Sequence, residues 1–279
     1  MIDRVVRYGA PLGSLIERHE ALPRCMGRLK EMISCARQED RPLPSGTVVI
    51  AGELRGGCGR FDRDWFAPSG GLWMAVAWAD TLLPEFARLL PLAAGTAGCE
   101  AIRNFGVDAA VKWVNDIHVH GRKIGGILCE TFVGKEPGDR YHLVGIGINC
   151  NNISFPEELK ESATSVHNEL HEIIDLDRFA LELLARLAWN FGLIHWHEEQ
   201  SLARGRDGEQ GRQLNSVLAA WKGLSDTPGR RVVYGYDVVR KPLYRATVKD
   251  IDDSGGLVMQ MENGAIVTEN SGELIYLED

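Results

Sequence analysis

The chain has 279 residues, of which 39 are acidic and 31 basic, leaving a formal charge of −8. Lysine and arginine supply most of the affinity of proteins that grip a phosphate backbone, so this excess argues against a nucleic-acid partner. A composition 44% hydrophobic and 25% charged is that of a globular protein and excludes disorder and fibre.

The charge is unevenly placed. Asp250 to Asp279 carries eight carboxylates and no Lys or Arg, so the preceding 249 residues are neutral as a set. No apolar run approaches the roughly 18 residues of a membrane helix, and the opening Met-Ile-Asp-Arg-Val-Val-Arg lacks the apolar stretch of a signal peptide. A cytoplasmic protein with no membrane partner is expected. Six cysteines (Cys25, Cys35, Cys58, Cys99, Cys129, Cys150) form no C-x-x-C pair and are expected as reduced thiols, mostly buried.

In chain order, Thr47 to Glu53 and Leu72 to Ala79 read as strands joined by a long glycine-rich loop, and such loops are usually functional or disordered. Helical spacing of Leu89, Leu92, Ala93, Ala97 and Ile102 predicts a helix over 83–105, stopped by Gly106. Ala110 to Val114 reads as a strand, Ile117 to Val133 as a hairpin turning at Gly121, and Tyr141 to Cys150 as a further strand. Asp177 is the expected N-cap of a long amphipathic helix through Phe179, Leu183, Leu187 and Phe191. A polar stretch, Arg204 to Arg212, precedes a short helix around Leu218 to Trp221. Gly229 to Leu277 then switches to period-two patterning with turns at Gly235, Asp253 to Gly256 and Asn263-Gly264, the size and pattern of a small SH3-like β-barrel.

Two segments carry chemistry. Ala51 to Trp65 places four glycines and three arginines on the strand-to-strand loop, offering backbone N–H groups and guanidinium forks to a phosphate or acyl-phosphate. It has no P-loop order, and a mobile surface loop is the competing reading. Lys112-Trp113-Val114-Asn115-Asp116 and Arg122-Lys123-Ile124-Gly125-Gly126 would put Lys112 and Lys123 on adjacent strands, with Asp116 free to pair with them or to hold Mg²⁺. The alternative is a solvated hairpin with surface lysines. His195 and His197 point to different faces of a helix, which disfavours a metal site, and His118 and His120 read as exposed hairpin residues. The tryptophans read as core.

Taken in order, these segments resemble the biotin protein ligases. Ala51 to Gly71 resembles their glycine- and arginine-containing loop and Lys112 to Asp116 their Lys-Trp-Pro-Asn-Asp. Arg122 to Glu130 resembles their catalytic-lysine strand, and Gly145 to Asn151 their Gly-x-Gly-Ile-Asn-x-Asn. The resemblance implies an α/β (α+β) fold in which residues 1–224 form a catalytic mixed sheet with flanking helices and 225–279 the small barrel. It implies that biotin is activated by ATP with Mg²⁺ as biotinyl-adenylate and passed to a lysine of a biotin carboxyl carrier domain. By positional match, Lys123 and Arg60 are catalytic. Arg24, Cys25, Met26, Leu54, Gly57, Cys58, Gly59, Arg63, Trp65, Gly125, Gly126, Gly145 and Gly147 border the acid. Lys112, Asn115, Asn149 and Asn151 face the nucleotide, and Asp116 the metal.

Three departures from the pattern cover five positions: Arg24-Cys25-Met26 replaces the family's Ser-Thr-Asn, Leu54 a glutamine, and Cys58 an arginine. A site that hydrogen-bonds a polar ring discriminates through those bonds. Lipoate, a fatty acid, or ligand binding without catalysis are therefore alternatives to biotin ligation. A repressor-type DNA-binding domain is not expected with fewer than about 50 residues before the loop, and a homodimer is neither required nor excluded.

Overall fold

The computed structural model describes residues 1–134, 140–204 and 215–277. In chain order these form α1 (Ile2–Gly9), β1 (Ile16–Leu22), α2 (Cys25–Gln38), β2 (Thr47–Leu54), β3 (Leu72–Ala79), α3 (Pro84–Ala87), α4 (Leu90–Asn104), β4 (Ala110–Lys112), β5 (Asp116–Val119), β6 (Arg122–Val133) and β7 (Arg140–Ile148). They continue as α5 (Val166–Leu170), α6 (Leu176–Arg204), α7 (Ser216–Leu224), β8 (Arg231–Gly235), β9 (Tyr244–Ile251), β10 (Leu257–Met261), β11 (Ile266–Glu269) and β12 (Glu273–Tyr276). From residue 205 on, the predicted polar stretch lies outside the described residues, as do Glu278 and Asp279.

The first seven strands make one mixed sheet in the order β1-β2-β3-β7-β6-β5-β4, with β1 parallel to β2 and every other pair antiparallel. Successive side chains of a strand point to opposite faces, and in β3 both faces are covered. Leu72, Met74, Val76 and Trp78 join the core under α4 and α6, while Trp73, Ala75 and Ala77 join a second core under α2. Burial on both faces is why this strand reads as an unbroken apolar run. The last five strands form an antiparallel sheet in the order β11-β10-β9-β8-β12. Its buried residues Val232, Tyr234, Leu257 and Met259 belong to the same core cluster as Leu89 and Leu92. None of the described helices is long and apolar enough to cross a membrane.

Several expectations are corrected. The helix over 83–105 is two helices, because Pro91 starts a second one in the first turn of α4. The strand at Ala110 stops at Lys112, since Lys112 pairs with Asp116 and the three residues between them form the turn. Asp175, not Asp177, caps α6, its Oδ1 accepting from the backbone N–H of Asp177 (2.9 Å) and Arg178 (3.1 Å). His118 is only 5% exposed, because Asp226, 108 residues downstream, meets its Nε2 at 3.0 Å. Only Cys25, Cys99 and Cys150 are buried; Cys58 and Cys129 are half-buried and Cys35 is exposed, and none of the six is joined in a disulfide. Neither α1 nor β1 is foreseen by the pattern.

Candidate active site

A cleft of about 460 Å³ opens on the face of the sheet that carries α2, within the size range of small-molecule sites. Its floor is made by absent side chains. Gly126 pairs with Gly147 and Leu128 with Gly145 across β6 and β7, so the period of two sets all three glycines on one face. A Cβ on Gly145 would stand 2.8 Å from Met26 Sδ, and one on Gly147 would stand 2.9 Å from Trp65 Nε1. The Met26 thioether and the Trp65 ring therefore lie directly on the strand backbone.

The loop after β2 is folded back on itself. Leu54 N–H donates to Ala67 (2.9 Å), Trp65 N–H to Gly57 (3.0 Å) and Gly59 N–H to Arg63 (2.8 Å). These rungs carry Trp65 onto the floor and put Arg60 and Arg63 at the tip. Between them Phe61 is held at φ 58°, a left-handed conformation unusual for a bulky residue, and its ring lies 5.0 Å from the Arg60 guanidinium and 5.5 Å from that of Arg63. Arg60 donates to the Gly272 carbonyl at 2.7 Å and reaches Asn115 Oδ1 at 3.5 Å, while Arg63 pairs with Glu273 and with Asp237. Burial pulls the ionisation of Arg60 down, opposed by Glu273 and Asp116.

Lys123, on β6, completes this end. Its Nζ is 2.6 Å from Asp116 Oδ1 and 5.1 Å from the centre of the Trp65 ring. The two lysines are not on adjacent strands, because β5 runs between β4 and β6 and brings Asp116 between them. Lys112 instead lies 4.6 Å from the Tyr276 ring, and burial pulls its ammonium below the ordinary lysine value despite Asp116.

The opposite end is apolar. Cys25, Met26, Leu54, Trp73 and Leu128 form it; burial pushes the Cys25 thiol up to about 12. Cys25 Sγ is 3.5 Å from the Trp73 carbonyl, and Arg24 Nε donates to the Gly56 carbonyl at 2.9 Å.

Of the residues singled out in the sequence, Lys123, Arg60, Arg63, Asn115, Asp116, Arg24, Cys25, Met26, Leu54, Cys58, Gly59, Trp65, Gly126, Gly145, Gly147 and Asn149 all border this cleft. Gly57, Gly125, Lys112 and Asn151 are not among its lining residues. Asn149 and Asn151 brace the walls: Asn149 Nδ2 donates to Thr164 (2.9 Å), and the Asn151 amide exchanges hydrogen bonds with the Ile174 backbone at 2.9 and 3.0 Å. Sequence reasoning missed Glu273 and the pair Lys30–Glu130, joined at 2.7 Å at the cleft mouth. Nothing in their local sequence distinguishes them, since each gains its place from a partner distant in the chain.

A mixed sheet with helices on both faces, a glycine floor and cations gathered at one end of a cleft define an α/β protein with a candidate site that is cationic at one end. The profile of the Biotin/lipoate A/B protein ligase family matches residues 33–151. The bifunctional ligase/repressor BirA of Escherichia coli is 38% identical over 234 residues, covering 83% of this chain and 67% of that protein. A biotin–[acetyl-CoA-carboxylase] ligase of Mycobacterium tuberculosis is 29% identical over 244 residues, covering 83% and 79%. The fold is that of the biotin protein ligase of Aquifex aeolicus in complex with biotin and ATP, with a TM-score of 0.73 at 23% identity over 95% of this chain and 99% of that one. The chain belongs to the biotin/lipoate protein ligase family. Its match spans 42% of the length of the BirA proteins of Bacillus spizizenii and Bacillus subtilis.

Proposed function

We propose that the chain is an ATP-dependent ligase that converts a carboxylic acid to its acyl-adenylate and transfers the acyl group to a lysine of a carrier domain. The observation that carries this reading is the gathering of Lys123, Arg60 and Arg63 at one end of a glycine-floored cleft. Biotin is the acid in the names of its relatives.

In the first step a carboxylate oxygen attacks the α-phosphorus of ATP and the bond to pyrophosphate breaks. Negative charge grows on the α-phosphate oxygens, and cations already fixed by the fold stabilise it better than water, which must reorganise. Lys123, held by Asp116 beside Trp65, is placed for this role, with Arg60 and Arg63 closing from the loop and limiting hydrolysis of the adenylate. In the second step an unprotonated lysine amine attacks the acyl carbon, the bond to AMP breaks, and the amine's proton is released.

Among the described residues no group of three or more His, Cys, Asp or Glu is arranged to hold a metal ion. This fits Mg²⁺ that keeps its waters and is held mainly by phosphates, with Asp116 as the protein's carboxylate beside them. When bound it would neutralise the departing pyrophosphate.

ATP–pyrophosphate exchange tests the reading. Exchange that depends on an added acid and disappears in Lys123→Ala is the expected result. Absence of exchange with biotin, lipoate and octanoate alike would remove the ligase reading.

A further inference from the structure

The strand β6 runs the length of the acid's path. Gly126, Leu128 and Glu130 pair with Gly147, Gly145 and Leu143 and lie on one face of the sheet, and a rise of about 3.3 Å per residue sets Glu130 roughly 13 Å beyond Gly126. In the proposed reaction the carboxylate sits at the Lys123 end, so an acid stretched along this strand brings its far end to Glu130. There Glu130 Oε2 meets Lys30 Nζ of α2 at 2.7 Å, across 100 residues of chain, and both residues line the cleft.

Folding does not account for this pair. Each side chain is 41% exposed, a setting in which ion pairs add little stability, and the cations of the adenylation step stand at the other end of the cleft. What the pair offers is a donor beside an acceptor: with their mutual bond made, the ammonium keeps its other N–H groups and the carboxylate its other oxygen. The rest of this end is rich in donors. Helix α2 starts at Cys25 without a side-chain cap, which leaves its first-turn N–H groups without intrahelical partners, while the Cys25 thiol turns to the Trp73 carbonyl. Of the carboxylates lining the cleft, Asp116 is held by Lys123 and Glu273 by Arg63, and Asp64 lies on the glycine-rich loop; Glu130 is the one joined to α2.

We infer that Lys30 and Glu130 determine specificity at the far end of the acid: Lys30 donates to a carbonyl oxygen and Glu130 accepts from the N–H beside it, so the group read here is a neutral urea or amide. In biotin that group is the cyclic urea, a carbonyl flanked by N–H donors, and Glu130 supplies the acceptor that a helix N-terminus cannot. The pair thereby stands in for the hydroxyls and amide that Arg24-Cys25-Met26 replace. A cation in the same place meets the Lys30 ammonium as a like charge and is rejected. The inference rests on the ligase reading and assigns residues to its specificity.

The test is ATP–pyrophosphate exchange by the full chain with biotin and with 2-iminobiotin, in which a cyclic guanidinium replaces the urea. Lys30→Met and Glu130→Leu should each raise KM for biotin about tenfold with kcat nearly unchanged. The two variants should part on the cationic analogue. Lys30→Met, which leaves the Glu130 carboxylate without its cation, should raise kcat/KM for 2-iminobiotin relative to biotin on the order of tenfold, and Glu130→Leu should lower that ratio. A purely structural role would move both acids together. An unchanged KM for biotin in both variants, or a ratio of the two acids that shifts the same way in both, overturns the inference and leaves the ligase reading standing. Silence of the parent chain with every acid removes the ligase reading and this inference with it.

Discussion

Arg60 Nη1 donates to the carbonyl oxygen of Gly272 at 2.7 Å, across 212 residues of chain. The glycine-rich loop is thereby anchored on the C-terminal sheet at its tip as well as on the floor through Trp65, and the neighbouring Glu273 receives Arg63. Removing the charge of Glu273 leaves Arg63 with Asp237 alone, at 3.2 Å. Glu273→Gln should raise KM for ATP several-fold in pyrophosphate exchange. Because Arg63 is 37% exposed, the stability loss should stay within about 1 kcal/mol. An unchanged KM for ATP would show that the loop holds its arginines without this carboxylate.

The ion pair of Lys123 with Asp116 bears on chemistry more than on folding. The Lys123 side chain is 37% exposed and that of Asp116 30%, a setting in which such pairs contribute only about 0–1 kcal/mol. Lys123→Ala should therefore abolish acid-dependent exchange while leaving the circular dichroism spectrum and melting temperature near those of the parent. Lys123→Arg should recover little, because a planar fork does not replace a compact ammonium above the Trp65 ring. Full activity in the alanine variant would exclude Lys123 from the mechanism.

Asp226 ties the central hairpin to the last strand, accepting at 3.0 Å from His118 and at 3.0 Å from Tyr276. Burial alone would raise its carboxyl pKa, but the hydrogen bonds and the charges of His118 and Arg230 outweigh burial and hold it below the usual value. A depressed folded-state pKa contributes stability that is present above the unfolded value, about 3.9, and is lost as pH falls through the folded one. Asp226→Asn should cost about 1 kcal/mol at pH 7, toward the low end because the carboxylate is 34% exposed. Urea midpoints of the two proteins should converge as pH drops below about 4. A deficit that does not change with pH would mean that the charge of Asp226 is not its source.

What the sequence revealed and what it hid follow from how each signal arises. β3 was legible because both its faces are buried, and the glycine floor because a missing side chain is a local fact. β1 was not: Glu17, Arg18, His19 and Glu20 lie on the edge of the sheet, where charge is tolerated and discourages further pairing, so no apolar alternation marks it. His118 reads as exposed from its hairpin and is buried only by Asp226. The same holds in the site: Lys123, Arg60 and Asp116 stand in recognisable motifs, whereas Glu273 and Lys30–Glu130 depend on contacts between distant segments. Leu54, Cys25 and Met26 were legible as departures, but that they border one cleft became visible only once α2 and the loop after β2 were placed on the same face of the sheet.

The crossing of α1 over α6 offers a stability test away from the site. A Cβ on Gly192 would stand 2.2 Å from the Val5 carbonyl oxygen, and one on Gly9 would stand 2.0 Å from that of Ala188. Both obstacles are backbone, so neither can swing aside as a side chain would. In a helix interior, glycine to alanine ordinarily stabilises by roughly 0.5–1 kcal/mol. Here the clash should win, because relieving it means lifting α1 and exposing Val5, now fully buried, and overpacking of this kind costs about 1–3 kcal/mol. Gly192→Ala should thus melt a few degrees lower despite its better helix former. Exchange activity at 25 °C should be retained, since α1 and α6 pack with the core on the face opposite the cleft. A higher melting temperature in Gly192→Ala would mean that the two helices do not approach this closely.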